Sequence, residues 1–442
     1  MVFAPTSEWT SWGRVNRAPH HVARPTWRQD IPAVVAEGRQ RFPSLLPVGL
    51  RRSYGDSVLN PAGAVIDMTG VDRMIAFDPA TGVLRADAGL SFDALLRALV
   101  PRGFFLPVTP GTRFVTLGGA VANDVHGKNH HGAGTIGCWV RRLGLLRSDG
   151  REHDLGPDDE TGLFAATIGG LGLTGIITWV ELSLMPITST MMDVETIAFD
   201  DLDGFFALAE ASEQAFDYTV AWVDCLAGGA RTGRGLFTRG RHAAAGPLEA
   251  GKAGGPTIPM DFPGFALNGL SIRAFNALYA WNGRRTAGNS IQHYQPFFYP
   301  LDAIGQWNRM YGQRGMFQYQ SVVPPDAARD ATAAMLRAIA SAGEGSFLAV
   351  LKTFGDRPSP GMLSFPSPGT TLALDFPNRG DGTLALLARL DAIVREAGGK
   401  LYPAKDGRIP RDMFRAGYPG WERFASHVDP LMSSMFWNRV GP

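Results

Sequence analysis

From Pro47 to about Pro186 the apolar positions come in short runs cut by turn residues. Ala64-Val65-Ile66 precedes Thr69-Gly70, Gly82-Val83-Leu84 precedes Gly89, and Leu143, Leu145 and Leu146 precede Ser148-Asp149-Gly150. Each run reads as a strand closed by a turn. Ser91 is placed to cap a helix whose Phe92, Leu95, Leu96, Leu99 and Val100 recur at i, i+3, i+4 spacing until Pro101 and Gly103 stop it. A short helix is predicted over 157–167 and a buried strand over 174–185. The fold class is α+β with mixed strand pairing, because the strand-helix alternation of a doubly wound sheet is missing. Beyond Pro186, strand-like segments at 217–224, 316–323, 346–354 and 370–376 flank helical ones at 199–213, 325–341 and 382–397. The last helix carries Leu384, Leu387, Leu390 and Val394 on one stripe. This pattern predicts an antiparallel sheet backed by helices. Between Arg239 and Phe262 glycine, alanine and proline dominate, which predicts a mobile loop.

Composition narrows the classes. The 442 residues suffice for two or three domains, and 54 glycines with 31 prolines describe a loop-rich globular chain. A formal charge of +1 leaves no net field to gather nucleic acid. Cys138 and Cys225 cannot build a disulfide framework, and the start MVFAPTSEWTSWGR lacks the layout of a signal peptide. No apolar run reaches membrane-spanning length. The expectation is a cytoplasmic protein, soluble or peripheral at the inner membrane. Lysine occurs only at 128, 252, 352, 400 and 405 among 42 basic residues. An ammonium is a point charge whose pKa moves readily on burial, so these few positions are candidates for chemistry.

Three segments combine backbone freedom with polar side chains: Gly49 to Ser57 (GLRRSYGDS), Pro110 to Ala120 (PGTRFVTLGGA) and Asn123 to His131 (NDVHGKNHH). Gly118-Gly119, at the start of a predicted short helix, would bring main-chain N–H groups to an anion. Gly170 to Gly175 spells G-x-G-x-x-G but lies between a helix and a strand, the reverse of a dinucleotide fingerprint. None of the Gly-Lys pairs completes a phosphate-binding P-loop. His126, His130 and His131 lack companions at zinc-ligand spacing. Further on, Gln318, Gln320 and Val322 share one strand face, and glutamine amides both donate to and accept from hydroxyls. Lys352 sits in an apolar strand, and Lys405 follows Tyr402-Pro403.

The runs RRSYGDS, PGTRFVTLGGAVANDVHGKNHH, GGLGLTGII, QYQSVVP and YPAKDGR resemble those of the decaprenylphosphoryl-β-D-ribose 2-oxidases, a family of vanillyl-alcohol-oxidase-like flavoproteins. The likeness extends from about Trp12 to Met432 and is poor around 240–290. It implies a PCMH-type FAD-binding domain over 1–187, a substrate-binding domain over 188–399, and a segment 400–442 that returns to the first. By matching motif, FAD would be lined by Pro47, Val48, Gly49, Leu50, Arg51, Arg52, Ser53, Tyr54, Gly55, Asp56 and Ser57. Gly111, Thr116, Leu117, Gly118, Gly119, Asn123, Asp124, Val125, His126, Ile177 and Tyr402 complete that lining. Lys128, Gln318, Gln320, Lys352 and Lys405 would bind substrate, with Lys405, His126 and Tyr54 as catalytic candidates. Arg52 stands where sugar oxidases of the wider superfamily carry a flavin-linked histidine, which implies non-covalent FAD. The implied reaction oxidises C2 of a polyprenylphosphoryl ribose, and a separate NAD(P)H-dependent keto-reductase then completes epimerisation to arabinose. Ala373 and Thr371 replace a cysteine and an asparagine found in some members. The segment Gly240–Phe262 would be a flap covering the prenyl chain with Ile258, Met260 and Phe262. Two other readings stand beside this one: a soluble sugar or alditol oxidase, and a zinc hydrolase using His126, His130 and His131.

Overall fold

The computed structural model describes residues 2–252 and 254–442. Three sheets carry the molecule. A four-stranded mixed sheet orders Ala4–Thr10, Arg17–Ala23, Ala64–Asp67 and Leu45–Val48, with antiparallel pairing in the first pair and parallel pairing in the other two. Beside it an antiparallel sheet of five strands orders Met74–Asp78, Val83–Asp87, Ile176–Ser183, Val140–Leu146 and Glu152–Leu155. Its core face is closed by the helix Phe92–Leu99, whose Ser91 hydroxyl accepts the Ala94 N–H at 3.1 Å, the cap that the sequence predicts.

The third sheet has eight strands in the order Gly288–His293, Met191–Phe199, Gly235–His242, Tyr218–Val223, Ala349–Phe354, Gly369–Pro377, Met316–Val323 and Lys400–Leu401, antiparallel throughout. Alternation along Gly369–Pro377 sends Leu372, Leu374 and Phe376 into the core beneath the helices Pro325–Ala342 and Asp381–Glu396. Met335, Leu336 and Ile339 of the first helix meet Leu386, Leu387, Leu390 and Val394 of the second in that same core. The opposite face of the sheet, bearing Thr371, Ala373 and Asp375, looks towards the other two sheets.

The chain end comes back onto the first sheet. Leu45 N–H donates to the Leu431 carbonyl at 2.7 Å and Met435 N–H to the Leu59 carbonyl at 2.7 Å. The Arg439 guanidinium bridges two buried carboxylates, Asp56 at 2.8 Å and Asp406 at 3.2 Å.

The structure differs from the sequence expectation in the middle. Met191–Phe199, Gly235–His242 and Gly288–His293 are strands and Gly269–Arg285 is a helix, none of them predicted. The expected loop starting at Arg239 begins inside a strand. Its irregular remainder is tied to 300–311: Ile258 N–H donates to Gly305, Phe262 N–H to Arg309, and Asp261 pairs with Arg14. Among the described residues no helix is long and apolar enough to cross a membrane.

Candidate active site

A cavity of about 570 Å³ runs between the first two sheets and onto the inner face of the third. At one end lies the loop after strand Leu45–Val48. Arg51 adopts the left-handed region (φ +55°), and the amides of Arg51, Arg52 and Ser53 donate to no protein acceptor among the described residues. Successive unpaired N–H groups on a turn make an anion cradle. The Arg52 guanidinium stacks on Trp12 at 3.9 Å, and its buried Nε has no partner. Gly55 packs so closely on the Asp406 carbonyl that a Cβ would overlap it, and Tyr54 N–H donates to the Ala404 carbonyl at 2.9 Å. This joins the cradle to the segment that carries Lys405.

Gly118-Gly119 does not act as the sequence suggests. Leu117 N–H donates to Leu90, Gly118 N–H to Ala88 and Gly119 N–H to the Thr116 hydroxyl, so the helix start has spent its free donors inside the protein. The amides left free to meet an anion are those of Arg51, Arg52 and Ser53, while the glycine pair supplies a smooth wall with a close approach to Ala88.

The other end of the cavity is floored by the eight-stranded sheet. Strand register places Gln320 opposite Ala373, Ala373 opposite Val350 and Val350 opposite Trp222, and all four side chains line the cavity. A neighbouring row runs Val220, Thr238, Thr196. Above the floor the His126 ring packs between Phe354 and Tyr402, with ring centroids 4.9 and 5.4 Å away. The Gln320 amide donates to His126 Nε2 at 3.1 Å and to the Thr371 hydroxyl at 3.2 Å. With Nε2 accepting, this network assigns the proton to Nδ1, which is buried and has no protein partner. Burial first, then the charges of Lys352, His130 and Lys405, hold the imidazole far below its usual pKa, so His126 is a neutral donor.

Three of the five lysines converge here. Lys128, Lys352 and Lys405 all line the cavity. Burial lowers Lys128 to about 8, while burial and the charges of Lys128 and Lys405 lower Lys352 to about 7. Lys352 Nζ donates to the Gly127 carbonyl at 3.2 Å. The Lys405 ammonium lies 4.2 Å from the Tyr54 ring centre. Its pKa is lowered by burial and partly restored by the charge of Asp375. Asp375 is fully buried, accepts the Gln318 amide at 2.6 Å, and is pushed up by burial. Tyr54, buried, is held well above its ordinary value and stays protonated.

The family described as FAD binding domain matches residues 19–156. The decaprenylphosphoryl-β-D-ribose oxidase of Mycolicibacterium smegmatis is 37% identical over 416 residues, covering 90% of this chain and 89% of that protein. The chain belongs to the decaprenylphosphoryl-β-D-ribose oxidase family. An uncharacterized Streptomyces coelicolor protein from the mprA 5′ region is 33% identical over 78% of this chain and 97% of its own length. An L-gulono-1,4-lactone dehydrogenase of Mycobacterium tuberculosis is 27% identical over 40% of the chain. Membership makes this an FAD-dependent oxidoreductase. The residues present fit FAD: the 50–53 cradle suits a pyrophosphate. The unpartnered buried polar atoms Asn123 Oδ1, His126 Nδ1 and Gln318 Oε1 belong to side chains lining the same cavity.

Of the residues that the resemblance assigns to FAD, substrate or catalysis, all but four line this cavity. Gly55 is the contact with Asp406, and Asp56 is spent on Arg439. Leu117 lies in the apolar core beside the five-stranded sheet. Asp124, at φ +41°, is fully buried and accepts the Gly137 amide and the hydroxyls of Ser359 and Ser364, so it is a fastening for the 355–365 loop. The three histidines share no site: His130 packs on Phe354 and His131 bonds the Phe216 carbonyl. The sequence reading missed Asp375, whose only signal was a carboxylate inside an apolar strand, and Trp222, which nothing in its local pattern marks. It also set aside Gly170–Gly175, of which Gly172 and Gly175 line the cavity.

Proposed function

We propose that the protein oxidises the C2 hydroxyl of a polyprenylphosphoryl ribofuranose to the 2-keto sugar, the first half of an epimerisation that a separate NAD(P)H-dependent keto-reductase completes to arabinose. The observation that carries this reading is the convergence of Lys128, Lys352 and Lys405 beside the Gln318–Gln320 face, a cationic and hydroxyl-binding surface at one end of a flavin-sized cavity. Bound without a covalent link in the 47–57 loop, FAD supplies the acceptor for the hydride leaving C2.

The chain must then take the hydroxyl proton. Lys405 is the candidate base because burial favours its neutral amine, whereas Tyr54 is held protonated and His126 is fixed as a donor by Gln320. Asp375 holds Lys405 from losing its proton too readily, and is a positioning residue in this reading. Lys128 and Lys352 are assigned to the phosphoryl and sugar oxygens, and Gln318 and Gln320 to hydroxyls. Ala373, Val350 and Trp222, the apolar members of the floor row, receive the start of the prenyl chain, which puts the enzyme at a membrane surface.

The test is turnover of a short-chain prenylphosphoryl ribose against free ribose and alditols. The expected product is lighter by two hydrogens, and borodeuteride reduction returns deuterium at C2. Oxidation of free pentoses or alditols with none of the phosphorylated sugar would overturn this reading in favour of a soluble sugar oxidase.

A further inference from the structure

The exposed large apolar side chains are concentrated in one place. Phe265, Leu270, Leu278, Trp281, Ile291 and Met260 are all more than half exposed and lie between residues 260 and 291. Most of them belong to, or flank, the helix Gly269–Arg285, which is amphipathic in the reverse sense. Its face on the sheet consists of Ile272, Asn276 and Ala280, and Asn276 donates there to Asp224 at 3.2 Å and to the Ser346 carbonyl at 3.3 Å. Leu270, Phe275, Leu278 and Trp281 face outwards. A helix serving only the fold would turn its large apolar stripe inwards, and soluble monomers rarely expose a contiguous apolar patch this rich in aromatic groups.

Two further observations say what covers it. Between residues 260 and 292 the charged groups are Arg273, Arg284, Arg285 and Asp261; Arg284 is paired with Asp200 and Asp261 with Arg14. Arg273 and Arg285 make no ion pair among the described residues, and Arg285 stacks on Trp281, so the rim keeps two free cations. It is also continuous with the cavity: Phe275 stacks on Tyr279, Tyr279 meets Trp222 at 4.7 Å between ring centres, and both Tyr279 and Trp222 line the cavity. An aromatic seam thus leads from the lysine-lined end out beneath this helix. A wet apolar face with arginines at its edge and Trp and Tyr in its plane is the composition of an interfacial helix on anionic lipid.

We propose that the outer face of Gly269–Arg285, with Met260, Phe265 and Ile291 beside it, docks on an anionic bilayer surface and opens the cavity directly to the membrane. The docking stands on the exposed face alone; the delivery of a lipid-linked substrate through the seam rests on the function proposed above. The test uses the FAD-loaded protein and phosphatidylcholine vesicles containing phosphatidylglycerol. Wild type should sediment with the vesicles. Leu278→Glu combined with Trp281→Glu should lower the bound fraction by about tenfold or more. Neither residue lines the cavity, so flavin content and turnover of a water-soluble short-chain substrate should be unchanged. Equal sedimentation of wild type and variant would overturn the proposal. So would a wild type that ignores vesicles but elutes as a dimer that the double variant dissociates, since the face would then cover a second copy. Failure of the short-chain substrate with normal vesicle binding would instead strike the substrate reading.

Discussion

Replacing Lys352 by methionine removes a charge from the most cationic part of the cavity while keeping the stem's bulk. Its pKa falls from 10.5 to about 7 in the fold, so between those values the unfolded chain carries a proton that the folded one lacks. Stability of the FAD-free protein therefore rises with pH across that window, by about 1.4 kcal/mol per unit for this one group. Below pH 7 both states are protonated and the burial cost is fully present, at most about 5 kcal/mol. Above 10.5 it has vanished. Methionine carries none of this dependence, although the Gly127 carbonyl loses its donor at a cost of about 1 kcal/mol. The variant should thus be more stable than wild type at pH 7, and its lead should shrink by roughly 2 kcal/mol by pH 9, less where cavity water screens the ammonium. Urea midpoints of the two FAD-free proteins, measured at both pH values, give the difference directly; titrating groups away from Lys352 cancel, whereas Lys128, Lys405, His126 and His130, which feel its charge, add a smaller term. A lead that does not change with pH would refute the argument, because it would mean that Lys352 titrates as an ordinary surface lysine. The same variant should raise KM more than it lowers kcat, since the group is assigned to binding.

Lys405→Met should retain flavin and lose turnover by about 10²–10⁴-fold, and the rise of wild-type rate with pH should disappear with it; near-normal turnover would move the proton acceptor elsewhere. Acid precipitation of the holoenzyme should leave a yellow supernatant and a colourless pellet, because Arg52 offers no nucleophile in the 47–57 loop; a yellow pellet would refute this. Arg439→Leu should cost roughly 3–5 kcal/mol in thermal or urea unfolding, since it strands the buried carboxylates of Asp56 and Asp406. A loss under 1 kcal/mol would show that water reaches those groups.

What could be read from the residues alone follows how local the signal is. The Ser91 cap, the 325–342 and 381–396 helices and the Gln318–Gln320 face are written within a few residues of themselves, and the structure has them. Gly288–His293 is an exposed edge strand of mostly polar residues, and in Met191–Phe199 the alternation of buried Met192 and Val194 with Asp193 and Glu195 is lost after Glu195, so neither run stands out. The helix Gly269–Arg285 was hidden for the opposite reason: its apolar residues point away from the core, and a pattern read as core packing finds no stripe. In the site, the lysines were legible because the chain uses so few. Asp375, Trp222 and Val350 were not, because cross-strand register brings Trp222 beside Val350 across 128 positions and Val350 beside Ala373 across 23; Ala373 itself was marked only by resemblance. The Gly118-Gly119 assignment failed because a glycine pair at a helix start tells nothing of whether its amides are already engaged.

The contact between Gly55 and Asp406, with Tyr54 N–H on the Ala404 carbonyl, has a mechanical consequence. The turn assigned to the cofactor's phosphates and the turn bearing Lys405 are fastened directly to each other and latched from behind by Arg439. In the reading proposed above, the separation between the site that would hold the cofactor's phosphates and the group that would take the proton is set by that patch, and the eight-stranded sheet has no part in it. Under that reading, a shift of the eight-stranded sheet would move the bound sugar without changing the distance between these two turns.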